Sequence, residues 1–311
     1  MLAFCLASFS HADSDMLPQL KDTRRVVFLG DSITQAGDYV TEIECWLLAK
    51  GQQVEVLNLG LGSETATDLT DKENEGHLKQ HGFGRPFISE RLQRVLSATK
   101  PDLVFACYGM NDASSLPADA SGDKRYAEAI SRLRETILKS GVKQVVLLTP
   151  PLRECREGEW EQNIQDQNLT RYTDWLLSKK AKGWTVVDIH TPMRRALALE
   201  RAKDPDFGFT KDGVHPGRAG HWVMASCVLQ QYFGGNLDGI MGAEQLFPVK
   251  GAEIRKLVHQ RQKILFDAWM TKIGHQRPGV PGGPGVPPGP SLKDAEAKAS
   301  TITNAINQLH P

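Results

Sequence analysis

The chain has no excess of charge of either sign: Lys plus Arg and Asp plus Glu each number 37 in 311 residues, and the sequence pI is about 7.1. Such a balance provides no global field for a polyanion, so neither nucleic acid nor an anionic membrane surface is an expected partner. No stretch approaches the roughly 18 consecutive apolar residues of a membrane-spanning helix, so no transmembrane segment is expected. Cysteine is sparse and unpatterned. Cys5, Cys45, Cys107, Cys155 and Cys227 are odd in number and scattered, with no CxxC and no Cys/His ligand spacing, which argues against a disulfide framework or a zinc site. Cys107 and Cys227 lie in apolar segments and read as small core residues. Basic residues are missing from the N-terminus. "MLAFCLASFSHADS" has a short apolar stretch and a small-residue context at Ser10, His11 and Ala12, and residues 1–20 read as the remnant of a signal peptide that lacks its basic n-region. Export to the periplasm or the exterior is the expectation, a cytoplasmic location the alternative.

What is present is ample material for a core, with 40% hydrophobic and 24% charged residues. Five apolar, β-branched runs read as strands: 25–29, 54–59, 102–108, 144–148 and 185–189. Helical patterns separate them at 41–50, 86–99, 126–138 and 163–180, the second placing Ile88, Leu92, Val95 and Leu96 on one face. Near-continuous apolar strands alternating with amphipathic helices predict a parallel five-stranded sheet covered on both faces, a three-layer α/β/α sandwich. The polar stretch 71–86 reads as a long loop, with His77, His81 and Arg85 solvated on it. The α/β core is assigned to 21–240 and a helical extension to 241–276. A Pro/Gly linker follows at 277–291 and an amphipathic helix at 292–311, which docks either on its own domain or on a partner.

In open parallel α/β sheets, ligands sit beyond the carboxyl ends of the strands. Ser32 follows the first run, Asn58 to Thr65 the second, Tyr108 to Asp112 the third, and Asp212 to Pro216 lies beyond the fifth. Taken alone, Ser32 is most simply a helix N-cap and Asn111 a turn residue. "DGVHP" shifts that balance, because Asp212 and His215 stand three apart on a Gly/Pro-containing turn. There a carboxylate can hold one imidazole nitrogen while the other faces a hydroxyl. Asp212, His215 and His221 also offer metal ligands, but His221 opens an apolar helix and no fourth ligand is apparent, so no metal is expected. The helical settings of Trp46, Trp175 and Trp222 read as core packing; Trp160 and Trp184 flank elements.

"FLGDSIT", "NLGLGSET", "YGMND" and "DGVHP", in this order across about residues 25 to 230, resemble the four sequence blocks of the SGNH/GDSL hydrolase superfamily. The resemblance implies a flavodoxin-like domain and cofactor-free serine esterase chemistry. In it, Ser32 would be the nucleophile, His215 the general base, Asp212 its orienter and Asn111 an oxyanion donor together with the Ser32 N–H. One block departs from the pattern. Asn58-Leu59-Gly60-Leu61-Gly62-Ser63 puts serine where the family has a glycine whose N–H faces the oxyanion. A backbone donor needs no glycine if the dihedrals suit its replacement, so Ser63 is the first choice for this role, with Gly62 and Gly60 behind it. The expected activity is hydrolysis of small acyl esters, with O-acetylated carbohydrate as the substrate class. The competing readings are a non-catalytic carbohydrate-binding or scaffold protein on the same fold, and a lipase or thioesterase.

Overall fold

A computed structural model describes residues 17–156 and 158–310, so the leader reading of the first residues falls mostly outside the described part. In chain order the elements are β1 (Arg25–Gly30), α1 (Ser32–Ala36), α2 (Asp38–Ala49), β2 (Glu55–Asn58), α3 (Asp71–His81), α4 (Ile88–Thr99), β3 (Leu103–Cys107), α5 (Met110–Ser115), α6 (Ala120–Lys139) and β4 (Gln144–Leu148). They continue with α7 (Ile164–Ser178), β5 (Thr185–Val187), α8 (His190–Arg201), α9 (Arg218–Gln231), α10 (Gly251–Ile273) and α11 (Leu292–Leu309). The strands form one parallel sheet in the order β2-β1-β3-β4-β5. This is the flavodoxin-like order, in which the chain switches direction between β1 and β3 and opens a crevice at their carboxyl ends. The strands are continuous apolar runs because helices cover both faces. Val26 to Leu29 and Leu103 to Phe105 are at most 1% exposed, and the Phe28 and Phe105 rings stack across the β1–β3 pair at 4.7 Å.

The stretch expected to be a loop at 71–86 is largely helical. Thr70 caps α3 by accepting from the Glu73 N–H while the Glu73 carboxylate accepts from the Thr70 N–H, a reciprocal box that satisfies two donors of the first turn. Only His77 of this helix is buried, so no apolar face announced it.

The C-terminal region is built into the molecule. α10 packs along α2, β2 and α4, and α11 packs on α10 with Ala295, Ala299 and Ile306 buried. α2 is consequently buried on a face that carries carboxylates. Glu42 accepts from Arg255 at 2.5 Å and from the Ala243 N–H at 2.7 Å, while Glu44 accepts from Arg261 at 2.8 Å and from Gln262 at 2.5 Å. Residues 277–291, expected to be a linker, form a packed connection: Val280 is buried, the His275 N–H donates to the Gly282 carbonyl, and the Gly289 N–H donates to Thr271. Tight turns at Gly279, Gly282 and Gly285, all with positive φ, let the chain fold back on α10 instead of extending away from it.

Candidate active site

The site lies at the carboxyl ends of β1, β2 and β3. Leaving β1, the chain turns into α1 at Asp31, whose side chain accepts from the Ile33 N–H at 2.9 Å and caps the helix. The cap is therefore Asp31. Ser32 is the first helical residue, and its Oγ stands 2.8 Å from His215 Nε2. His215 Nδ1 is 2.7 Å from Asp212 Oδ2, and the other Asp212 oxygen accepts from the Val214 and His215 N–H groups at 2.9 and 2.8 Å. Although partial burial acts in the opposite direction, these backbone and imidazole donors pull the Asp212 pKa down to about 2. An ionised Asp212 accepting at Nδ1 leaves Nε2 free to take a proton from Ser32.

The turn that brings Asp212 and His215 together is fixed from several sides. Gly213 has φ +80°, and a Cβ there would stand 2.9 Å from the Glu154 backbone carbonyl oxygen, so the turn favours glycine both conformationally and sterically. Arg153 donates to the Asp212 carbonyl at 2.7 Å, and the Glu154 N–H donates to the Gly213 carbonyl at 2.8 Å. The Glu154 carboxylate in turn accepts from the Thr210 N–H and from Arg201. His221 does not join Asp212 and His215 in a ligand group among the described residues; its ring is buried on α9, stacked on Tyr39 at 6.1 Å.

The second sequence block wraps against α1. Asn58 donates to the Thr34 carbonyl at 2.6 Å and accepts from the Gly60 N–H at 3.0 Å, while the Gly62 N–H donates to Gln35 Oε1 at 2.5 Å. Both glycine donors are thus engaged inside the protein. The Ser63 N–H donates to no acceptor among the described residues, and Ser63 adopts φ 67°. The next residue anchors the loop. Glu64 is fully buried, paired with Arg91 at 2.6 Å, and accepts from the Tyr108 hydroxyl at 2.6 Å. Its carbonyl accepts from Asn111 Nδ2 at 3.0 Å.

Arg85 also reaches this point. It donates to Asn111 Oδ1 at 2.7 Å and to Ser114 at 3.2 Å, so it orients the Asn111 amide with one N–H of Nδ2 left over. Read as a solvated loop residue, Arg85 is instead half-buried, with burial holding its pKa below the usual arginine value. His77, read the same way, is buried with Nε2 3.2 Å from Ser63 Oγ. The signal available for both was the capping box, which sets the register of α3 and hence where its end returns.

The triad-like side chains are open to solvent, His215 and Asp212 being 52% and 55% exposed. Beyond Asp212 lies an open depression of about 790 Å³ with Arg153, Glu154, Arg156, Asp206 and Lys211 in its wall. Such a lining suits a hydrated, polar ligand more than an alkyl chain. Nothing in the arrangement requires a cofactor: a hydroxyl, an imidazole, a carboxylate and a set of N–H donors are the components of acyl transfer.

Among solved structures, the chain resembles a gut microbial diltiazem-metabolising enzyme at 22% identity and TM-score 0.50, covering 67% of this chain but only 46% of that one. It also resembles LAE5, an alpha/beta hydrolase enzyme from the metagenome of Lake Arreo, Spain, at 22% identity and TM-score 0.51, covering 67% of this chain and 94% of that one. A variant of Axe2, an acetyl-xylooligosaccharide esterase from Geobacillus, is similar at 22% identity and TM-score 0.51, covering 68% and 95%. At this identity the likeness shows the shared α/β/α fold. No curated protein matches the chain. The sequence model of the GDSL-like lipase/acylhydrolase family matches residues 28–223, a span that holds Ser32, Ser63, Asn111, Asp212 and His215. The chain belongs to the GDSL-like lipase/acylhydrolase family and is a carboxylic ester hydrolase.

Proposed function

We propose that this protein is a serine esterase that removes small acyl groups, acetyl foremost, from carbohydrate. The observation that carries the reading is the relay Ser32 Oγ to His215 Nε2 at 2.8 Å and His215 Nδ1 to Asp212 at 2.7 Å. In this mechanism, His215 takes the Ser32 proton as Oγ attacks the ester carbonyl, and the oxygen that becomes negative is met by the N–H groups of Ser32 and Ser63 and by the free N–H of Asn111. Collapse of the tetrahedral intermediate passes the proton from His215 to the departing alcohol and leaves an acyl-enzyme. Water, deprotonated by His215, releases the acid, while Asp212 keeps the ring in the required tautomer and stabilises the imidazolium.

The open triad and the charged depression beyond Asp212 favour a bulky, hydrophilic alcohol over a long acyl chain. The acetyl-xylooligosaccharide esterase among the structural neighbours supports the same substrate class by analogy. Intact-mass spectrometry after treatment with a fluorophosphonate tests the nucleophile. One adduct is expected on the wild-type protein and none on Ser32→Ala; no adduct on folded wild-type protein would move the reading to a binding protein on this fold. Turnover of p-nitrophenyl esters then tests the acyl group, with acetate expected to exceed octanoate by tenfold or more.

A further inference from the structure

Ser63 is a side-chain-bearing residue in the left-handed region, φ 67°, at the block position where the resembled family has glycine. L-residues resist this conformation because Cβ crowds the following carbonyl, so the geometry needs a restraint that glycine would not. His77 provides one. Its Nδ1 lies 2.9 Å from the Phe83 carbonyl oxygen, which can only accept, so Nδ1 carries the ring proton. In the neutral ring Nε2 is then the acceptor, and the Ser63 hydroxyl donates to it across 3.2 Å. The ring is held neutral: burial pushes its pKa down to about 4 against the Phe83 hydrogen bond, and the charges of Arg85, His81 and Arg277 act in the same direction as burial.

The far side of this ring is closed by the segment after α10. The Phe83 ring meets His77 edge-on at 4.8 Å, and the Arg277 guanidinium stacks on Phe83 at 4.2 Å. Arg277 Nε also lies 3.6 Å from where a Cβ on Gly62 would stand, beside the same loop. A line of contacts therefore runs from the C-terminal segment through Phe83 and His77 to the hydroxyl of Ser63, whose backbone N–H donates to no acceptor among the described residues.

We propose that His77 is a positioning residue for the oxyanion loop, holding Ser63 in its left-handed conformation through the hydroxyl, with Phe83 and Arg277 bracing the imidazole from behind. The inference rests on the reading of the Ser63 N–H as an oxyanion donor. It accounts for serine at a glycine position, because the clamp takes over what conformational freedom would otherwise supply. It also gives residues outside the family-matched span a part in the geometry of the site.

The test is a cycle of His77→Leu in the wild-type and Ser63→Gly backgrounds, reading kcat and KM for p-nitrophenyl acetate together with the thermal midpoint. Outright loss of one oxyanion donor costs on the order of 100-fold to 1000-fold, so loosening one is expected to lower kcat about tenfold with KM changed less than about twofold. Glycine keeps the N–H and needs no clamp, so in the Ser63→Gly background His77→Leu should cost less than about twofold relative to its own parent. Arg277→Leu should give a smaller loss that also vanishes in that background. Should His77→Leu fail to fold, His77→Phe, which keeps a ring but no acceptor, takes its place in the same cycle. Equal losses in both backgrounds, or an unchanged kcat in His77→Leu, would overturn the positioning role. If the wild type forms no Ser32 fluorophosphonate adduct, it is the triad reading that falls, and this inference with it; an adduct with equal losses refutes the clamp alone.

Discussion

Replacing Asp31 with asparagine isolates the cost of a carboxyl group buried beside the nucleophile. Asp31 is 4% exposed and accepts from the Ile33 N–H. Burial lifts its pKa from 3.8 to about 7; the Ile33 hydrogen bond opposes the rise and the negative charge of Asp112 adds to it. An acid whose pKa is higher in the folded than in the unfolded protein contributes stability that is fully present below the unfolded value, near 3.9, and is lost as the pH rises through the folded value. At 1.36 kcal/mol for each unit between the two values, the loss between about pH 4 and pH 7 is about 4 kcal/mol. Asparagine keeps the shape and the acceptor but has no proton to lose. Its stability relative to wild type should therefore rise by about 4 kcal/mol from near pH 4 to near pH 8, levelling off above pH 7. Urea unfolding of both proteins across that range measures the difference directly. A difference that stays constant with pH to within about 1 kcal/mol would refute the reasoning, since no titrating group would then distinguish the two proteins.

Other perturbations address separate parts of the structure. Arg91→Leu leaves the Glu64 carboxylate buried without its partner and should cost about 3–5 kcal/mol in urea unfolding, with part of the loss recovered in the double variant with Glu64→Leu. Gly60→Ala would place a Cβ 2.4 Å from the Gln35 backbone nitrogen and should lower both the thermal midpoint and esterase activity by crowding α1. Asp212→Asn should cut kcat by on the order of 10³–10⁴ through the wrong imidazole tautomer. The Asp212 pKa is depressed to about 2, so its stabilising contribution is present above about pH 4 and lost between pH 4 and pH 2; with the group half-exposed, screening keeps that contribution under about 1 kcal/mol. Removal of residues 277–311 uncovers α10 and takes Arg277 from Phe83, and it should lower the thermal midpoint as well as kcat, in contrast to the loss of a free tail.

The sheet was legible because a strand buried on both faces carries its signature in its own residues: Val26 to Leu29, Leu103 to Cys107 and Gln144 to Leu148 are read from apolar runs alone. That Ser32, Asn111, Asp212 and His215 stand just beyond strand ends or on a Gly/Pro turn was local and therefore readable, but their roles came from the resemblance of the four blocks. α3 was missed because its helical signal is a capping box and polar residues, with one buried side chain to mark its inner face. The engagement of Gly60 and Gly62 could not be read, because their acceptors depend on where Asn58 and Gln35 point after folding. Residues 277–291 misled in a different way. Their Pro/Gly composition permits an extended connector and a packed turn equally, and only the surface of α10 decides between them.

The pairing of α2 with α10 has a consequence in time. Arg255 and Glu42 are 213 residues apart in the chain, and Arg261 and Glu44 are 217 apart. At ribosomal rates of about 5–20 residues per second, α2 must wait roughly 10–40 seconds after its own synthesis before its two inward carboxylates find their arginines. During that interval the β2 edge of the sheet, later covered by α10, is available to any other strand. The nascent protein therefore passes through a stage in which most of the family fold can assemble while one flank is charged where it will later be dry, and open where it will later be closed. Yield in the cell should follow how well that stage is shielded, by slow collapse or by a chaperone, more closely than it follows the stability of the finished molecule.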